Sequence, residues 1–324
     1  MEANRGNILY LVVPCYNEEE IIELSIGRLK EKMNRLISEK KIDGRSKVVY
    51  VNDGSRDKTL SLLHVAAKED SSIAVISFST NFGHQSAILA GMMFATDHAD
   101  MVITIDADLQ QDIEALDKFI EAYMHGNEIV YGVRNDRNSD GFFKKLTATM
   151  YYKFLHVLGC DIITNHADYR LMSKKALKVL GEYKEVNLFM RGLVPTLGFK
   201  SDIVYFDVKA REAGSSKYTL KKMVKLATDG ITSLSIKPLH LIIGLGFATC
   251  LFSVLMAIYI FVDWLSGNTV PGYTTSLMIT LIMNGITLLS LGIIGEYIGK
   301  IYMEAKGRPR YIVESIVFQK EDEQ

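Results

Sequence analysis

The aspartates of Asp106-Ala107-Asp108 stand one residue apart, directly after the apolar run Met101–Ile105. Carboxylates at that spacing can share one divalent cation. Mg²⁺ or Mn²⁺ prefers oxygen ligands, and magnesium completes its shell with substrate phosphates. The apolar run reads as a buried strand, and the carboxyl ends of parallel strands are where α/β proteins keep ligands. A metal–diphosphate site is therefore the first expectation. The competing expectation is an acidic turn in which Asp112 caps the next helix.

Three further polar clusters close apolar runs: Pro14–Glu19, Asn52–Asp57 and Asn81–Gln85. In a doubly wound sheet such turns lie along one edge and can converge. The sequence has no Gly-x-Gly-x-x-Gly and no Gly-x-x-x-x-Gly-Lys-Ser/Thr, so neither a dinucleotide fingerprint nor a P-loop is supported. Positive charge for a phosphate ligand would come from the metal, from Arg134 at the end of a fifth strand, and from Arg211 and Lys217 on a polar Gly-Ser loop.

The elements that must position these residues alternate. Residues 8–14, 47–51, 73–78, 101–105 and 128–133 read as strands, with helical periodicity between them. Asn17 is expected to cap the first helix. The pattern predicts a doubly wound, mostly parallel sheet. A short strand at 168–172, helices at 174–180 and 188–197, a strand at 201–209 and a tail strand at 310–318 follow. Residues 142–158 and 218–234 are candidate interfacial helices, rich in aromatics or lysine.

The chain has 324 residues, a net charge of −1 and 23% charged residues, which gives no field for nucleic acid. Cys15, Cys160 and Cys250 form no Cys-x-x-Cys, and a reducing compartment suits them. The N-terminus lacks a signal-peptide pattern. From Pro238 to Val262, and again from Trp264 to Gly295, no charge occurs. Each run exceeds the about 20 residues that cross a bilayer core. Lysines and arginines flank the pair (Lys221, Lys222, Lys225 and Lys237 before, Lys300, Lys306, Arg308 and Arg310 after), and none falls in the loop between. The positive-inside rule then puts both termini in the cytoplasm. The expected organisation is a catalytic domain at 1–220, an interfacial helix at 221–237, a two-helix transmembrane hairpin at 238–302 and a cytoplasmic tail at 303–324. The tail strand could pair with a neighbour's sheet edge, so a homo-oligomer is expected.

Taken in order, VPCYNEE, VNDGSRDKT, NFGHQSAILAG, DADLQQD, NHADYRLMS and REAGSSKYTLKKM, followed by two apolar spans, resemble family 2 glycosyltransferases of the GT-A fold. The likeness is to polyisoprenyl-phosphate glycosyltransferases of the dolichol-phosphate mannose synthase-like group, and it covers essentially the whole chain. The resemblance implies a Rossmann-like catalytic domain, two transmembrane helices and a short C-terminal β segment. It implies that Pro14, Tyr16, Asn17, Glu18 and Asp53 hold the nucleotide. Asp106 and Asp108, followed by Gln110, would carry the metal on the donor diphosphate. Asp168 would be the acceptor-side acid, as base or orienting group. Arg211, Ser216 and Lys217 would close over the diphosphate. His166 stands where many relatives have a small residue and receives no role. The absence of Gln-x-x-Arg-Trp argues for transfer of a single sugar. The implied reaction is inverting transfer of glucose or N-acetylglucosamine from a UDP-sugar to undecaprenyl phosphate, at the inner or plasma membrane. A GDP-mannose-dependent enzyme, or a non-catalytic membrane-anchored nucleotide-binding subunit, are the alternatives.

Overall fold

The structure, a computed structural model, describes residues 6–135, 163, 166–186, 189–208, 232, 235–266 and 272–319. Arg211, Ser216, Lys217, Cys160 and both candidate interfacial helices lie outside the described residues.

The chain alternates β1 (Leu9–Cys15), α1 (Ile22–Ser38), β2 (Lys47–Asn52), α2 (Thr59–Glu69), β3 (Ile73–Phe78), α3 (His84–Thr96) and β4 (Met101–Thr104). A 3₁₀ turn, Ile113–Ala115, leads into α4 (Leu116–Met124), then β5 (Ile129–Arg134), β6 (His166–Ser173), α5 (Lys174–Glu182), α6 (Met190–Thr196) and β7 (Ser201–Phe206). Two long helices, α7 (Lys237–Leu265) and α8 (Tyr273–Ala305), precede β8 (Val313–Val317).

The strands form one sheet in the order β7-β5-β6-β4-β1-β2-β3-β8. The strands β1, β2, β3 and β4 are almost wholly apolar because both faces are covered. On one face Leu9, Leu11 and Val13 pack with Ile22, Leu29 and Leu36 of α1, Leu63 of α2 and Phe119 of α4. On the other, Tyr10 and Val12 pack with α3, α5 and α6. Helix α3 comes so close to β1 that a Cβ on Gly91 would lie 2.4 Å from a methyl of Val12, so only glycine fits.

The expected parallel core is present, but the sheet is mixed: four of its seven pairings are parallel and three antiparallel. Strand β6 enters between β4 and β5 and runs against both, with Thr104 opposite Arg170 and Val133 opposite His166. Its amino end therefore lies at the edge where the parallel strands finish. The tail strand is a second difference. It pairs antiparallel with β3 of its own chain, Val75 opposite Val317, and Tyr311 stacks on Phe78 at 5.2 Å. The sheet edge thus takes the tail in cis, which removes the reason for expecting a homo-oligomer.

The helices α7 and α8 are long and apolar enough to cross a membrane, and none of their apolar windows is buried against the rest of the chain.

Candidate active site

The four strand-end clusters meet, and hydrogen bonds knit each to the next. The Asn17 amide donates to Ser55 Oγ at 3.0 Å, and Asn17 Oδ1 accepts from the Arg56 amide at 2.9 Å. The Glu18 amide donates to Thr59 Oγ1, and Glu19 exchanges bonds with Asp57 and the Lys58 amide. Asn17 takes the left-handed conformation, φ 54°, which asparagine tolerates better than most residues. It does not cap α1. That helix starts at Ile22 without a side-chain cap, because the Asn17 carbonyl group faces the second loop. Pro14 is buried in β1 opposite Val51, while Tyr16 and Glu18 reach the surface side of the same turn.

Asp53 ties the second cluster to the third. Its carboxylate accepts from the amides of Phe82 (2.6 Å) and Gly83 (2.9 Å) and from Asn81 Nδ2 (2.9 Å). Burial pushes its carboxyl above the usual range, against those amides and His84. At 2% exposure, Asp53 holds the Asn81–Gly83 turn with these three bonds. Gly54 beside it has φ +63°, and a Cβ there would sit 2.4 Å from the Thr80 carbonyl carbon.

The third cluster meets the fourth at His84, the first residue of α3. Its Nε2 lies 3.6 Å from Asp106 Oδ1 and 3.8 Å from Asp168 Oδ2. Asp106 is held by Gln111, whose Oε1 accepts from the Asp106 amide at 3.1 Å and whose Nε2 donates to Oδ2 at 2.6 Å. Gln110 gives its amide to Asp108 Oδ1 at 3.2 Å. Between them Leu109 is left-handed, φ 56°, and buried. A non-glycine residue there costs of order 1 kcal/mol. Asp112 accepts from the Glu114 amide, so it caps the 3₁₀ turn that leads into α4. Burial raises the Asp106 carboxyl, with Asp168 and Asp108 adding to it and His84 and Arg134 opposing. Arg134 is the exposed last residue of β5, in the expected place.

Asp168 lies in β6 and is 6% exposed. Arg170 donates to its Oδ1 at 2.7 Å, and Arg191 donates to both oxygens, at 2.9 and 3.3 Å. Arg170 is also bonded to the Met190 carbonyl, and the Met190 amide to Gln85 Oε1. Burial alone would raise the Asp168 carboxyl, but the two guanidiniums and His84 outweigh it and hold it far below the usual carboxylate range. His166, two residues earlier on the same face of β6, is 5% exposed and edge-on to Tyr131, and among the described residues neither ring nitrogen has a hydrogen-bond partner. Burial and the charge of Arg170 push its imidazole down to about 2, so it is neutral.

Paired acids at the β4 end, the turns after β1 and β2, Arg170 of β6 and Arg191 of α6 thus lie along one sheet edge. The model of family 2 glycosyl transferases matches residues 10–181. The chain belongs to that family. It is 44% identical to the glycosyltransferase YkoT of Bacillus subtilis, over 95% of this chain and 91% of that one. It is 37% identical to the bactoprenol glucosyl transferase of Shigella phage SfX, over 94% of this chain and 98% of that one. Among solved structures, glucosyl-3-phosphoglycerate synthase from Mycobacterium tuberculosis aligns with a TM-score of 0.46 and 18% identity, over 71% of this chain and 79% of that one. This glycosyltransferase has the mixed α/β GT-A fold. In the sequence His84 falls inside the Asn81–Gln85 cluster and Arg170 inside the Asp-Tyr-Arg run, whereas Gln111 and Arg191 were not singled out.

Proposed function

We propose that this glycosyltransferase moves one sugar, glucose in the first instance, from a UDP-sugar to undecaprenyl phosphate at the cytoplasmic face of the plasma membrane. The observation that carries the reading is the meeting at one sheet edge of the Asp106–Asp108 pair with Asp168 and its two arginines. The same chain carries two exposed apolar helices. Full-length similarity to bactoprenol glucosyl transferases supports the lipid acceptor.

Asp106 and Asp108 fit Mg²⁺ or Mn²⁺. Among the described residues no group of three or more His, Cys, Asp and Glu side chains could hold an ion alone, which agrees with a cation that takes phosphate oxygens for the rest of its shell. Bound there, the cation would neutralise the leaving diphosphate. Gln111 aims Asp106. The turns carrying Pro14, Tyr16, Asn17, Glu18 and Asp53 wall the nucleotide. Arg134, with Arg211, Ser216 and Lys217, adds to the diphosphate side. The acceptor's phosphate oxygen attacks the anomeric carbon while the bond to the diphosphate breaks, and the nucleoside diphosphate leaves with the electron pair, inverting the centre. A phosphate monoester has its second pKa near about 6, so the nucleophile is already charged at pH 7 and needs no base. Residues 1–220 form the catalytic body with the tail strand, 221–237 lie at the interface, and 238–302 span the bilayer with both ends cytoplasmic.

The test is a panel of radiolabelled UDP-glucose, UDP-N-acetylglucosamine and GDP-mannose with undecaprenyl phosphate in detergent, with and without Mn²⁺. Label from UDP-glucose should enter the lipid phase only with metal. Preference for GDP-mannose would overturn the donor, and no lipid label from any donor would overturn the reading.

A further inference from the structure

The tail that completes the sheet also reaches the edge where the loops meet. Strand β8 follows β3 to its last residue, Phe78, where the register shifts. One residue on, the Ser79 amide still donates to the Ile312 carbonyl at 3.2 Å. Side chains carry the contact further. The Tyr311 ring lies flat on Phe78, with centroids 5.2 Å apart and planes 9° from parallel. Phe82 meets the same Phe78 edge-on, at 5.7 Å and 86°. Phe82 is the middle residue of the Asn81–Gly83 turn, and its amide and that of Gly83 both donate to Asp53. The turn is therefore held on its backbone side by a carboxylate and on its side-chain side by a ring stack that ends in the tail. It needs both. Gly83 has φ 94°, a conformation glycine supplies without cost, and a glycine there leaves the backbone free to move unless Phe82 is packed. The next residue, His84, opens α3 and lies 3.6 Å from Asp106. The tail touches α3 a second time, where Phe318 meets Phe94 edge-on at 5.2 Å.

We propose that Tyr311 is a positioning residue for the nucleotide of the donor. Its ring fixes Phe78 and Phe82, and through them the turn that Asp53 holds. It acts through those rings and not by touching the nucleotide. The segment that leaves the apolar helix α8 thereby sets the donor side of the cleft. This rests on the reading that the turn held by Asp53 walls the nucleotide. The ring, not the hydroxyl, does the positioning, because the contact with Phe78 is face to face.

Binding and hydrogen exchange test the two links separately. UDP with Mn²⁺ is titrated by calorimetry into the full-length protein in detergent, and exchange of the amides in 79–86 is followed in the same variants. Tyr311→Ala should weaken UDP about two- to ten-fold, the range of one aromatic pair, and should speed exchange at Phe82 and Gly83. Tyr311→Phe keeps the ring and should match the wild type in both measurements. Phe82→Ala should also weaken UDP, and adding Tyr311→Ala to it should change little, since the two act through one stack. In turnover the loss should fall on the KM for the UDP-sugar, with the acceptor KM within about two-fold, whereas a general loosening of the sheet edge would raise both. Tyr311→Leu serves if Tyr311→Ala does not fold; it keeps the bulk without the flat face and should shift UDP in the same direction by less. The proposal is overturned if Tyr311→Ala leaves exchange at Phe82 and Gly83 unchanged, or if the effects of Tyr311→Ala and Phe82→Ala on UDP add in full. If Tyr311→Ala frees the turn and UDP still binds as to the wild type, Asp53→Ala decides between the two readings. Weaker UDP binding by Asp53→Ala would then overturn the role of Tyr311 and leave the nucleotide wall standing. Unchanged binding would overturn the wall itself and the inference built on it.

Discussion

A carboxylate that accepts from two guanidiniums has little basicity left for a substrate, and the field around Asp168 decides its role more than its place in a motif does. On the proposed reading, the acids that act on the donor are Asp106 and Asp108. Asp108→Ala should lower transfer about 100-fold or more, with thermal stability nearly unchanged, because the loss falls on leaving-group charge. Full-rate transfer by that variant would remove the metal role. His166 gives a different prediction. Its folded-state value, pushed down to about 2, lies below the unfolded 6.5, so the unfolded chain binds a proton that the folded chain does not. Stability from this group is therefore complete above pH 6.5 and falls by about 1.4 kcal/mol per unit as pH drops toward 4. His166→Leu should flatten that acid limb in urea titrations at pH 4, 5, 6 and 7. Asp168, whose folded value is depressed, adds its own loss only below the usual carboxylate range. Asp106 and Asp108 were legible in sequence because two acids at the end of an apolar run carry their chemistry locally. Arg191 was not, because it acquires its partner Asp168 only when β6 is in place, and Gln111 was not, because a second glutamine in the loop gives no sign of which one reaches Asp106.

The strands of the nucleotide half follow from continuous apolar runs, which local sequence displays well. Strand β6 shows the limit of that reading. The run 168–172 reads as a short strand, and the structure extends it to His166–Ser173, all buried, including Asp168 and Arg170. Its reversed direction depends on pairing with β4 and β5, far apart in sequence. Helix α1 shows a smaller failure. Asn17 has the right residue type for a cap, but its side chain is taken by the second loop. Such loop-to-loop bonds explain why one glycine can matter to the whole edge. Gly54→Ala would need a left-handed alanine and would drive a Cβ to 2.4 Å from backbone that cannot yield. The variant should lose about 2 kcal/mol or more of stability in denaturant titrations. It should also weaken UDP, because Asp53 and the Asn81–Gly83 turn shift together. Unchanged UDP affinity in a folded Gly54→Ala protein would show that the turn does not shape the nucleotide wall.

The end of the chain connects the long apolar helices to the catalytic edge. At the foot of α8, Glu304 accepts from the Val186 amide at 2.8 Å. Past the helix, Arg310 donates to the Tyr183 carbonyl, Tyr311 stacks on Phe78, and β8 completes the sheet beside β3. Residues 183–186 lie just ahead of α6, which carries Arg191. The tail is thus a brace between α8 and the corner that holds Asp168. An acceptor whose phosphate sits at a membrane surface demands a fixed height for that corner, and two polar bonds plus a strand provide it. Replacing both Glu304 and Arg310 by alanine removes the bonds and leaves β8 and the Tyr311 stack intact. The double variant should fold and bind UDP as the wild type does. Amides in 183–191 should exchange hydrogen faster, since local opening there loses two of its restraints. The acceptor KM should rise by about three- to ten-fold, in line with one or two lost hydrogen bonds. Unchanged exchange in 183–191 would show that the tail strand alone sets the corner, and a kcat loss with KM unchanged would place the coupling in the chemical step instead.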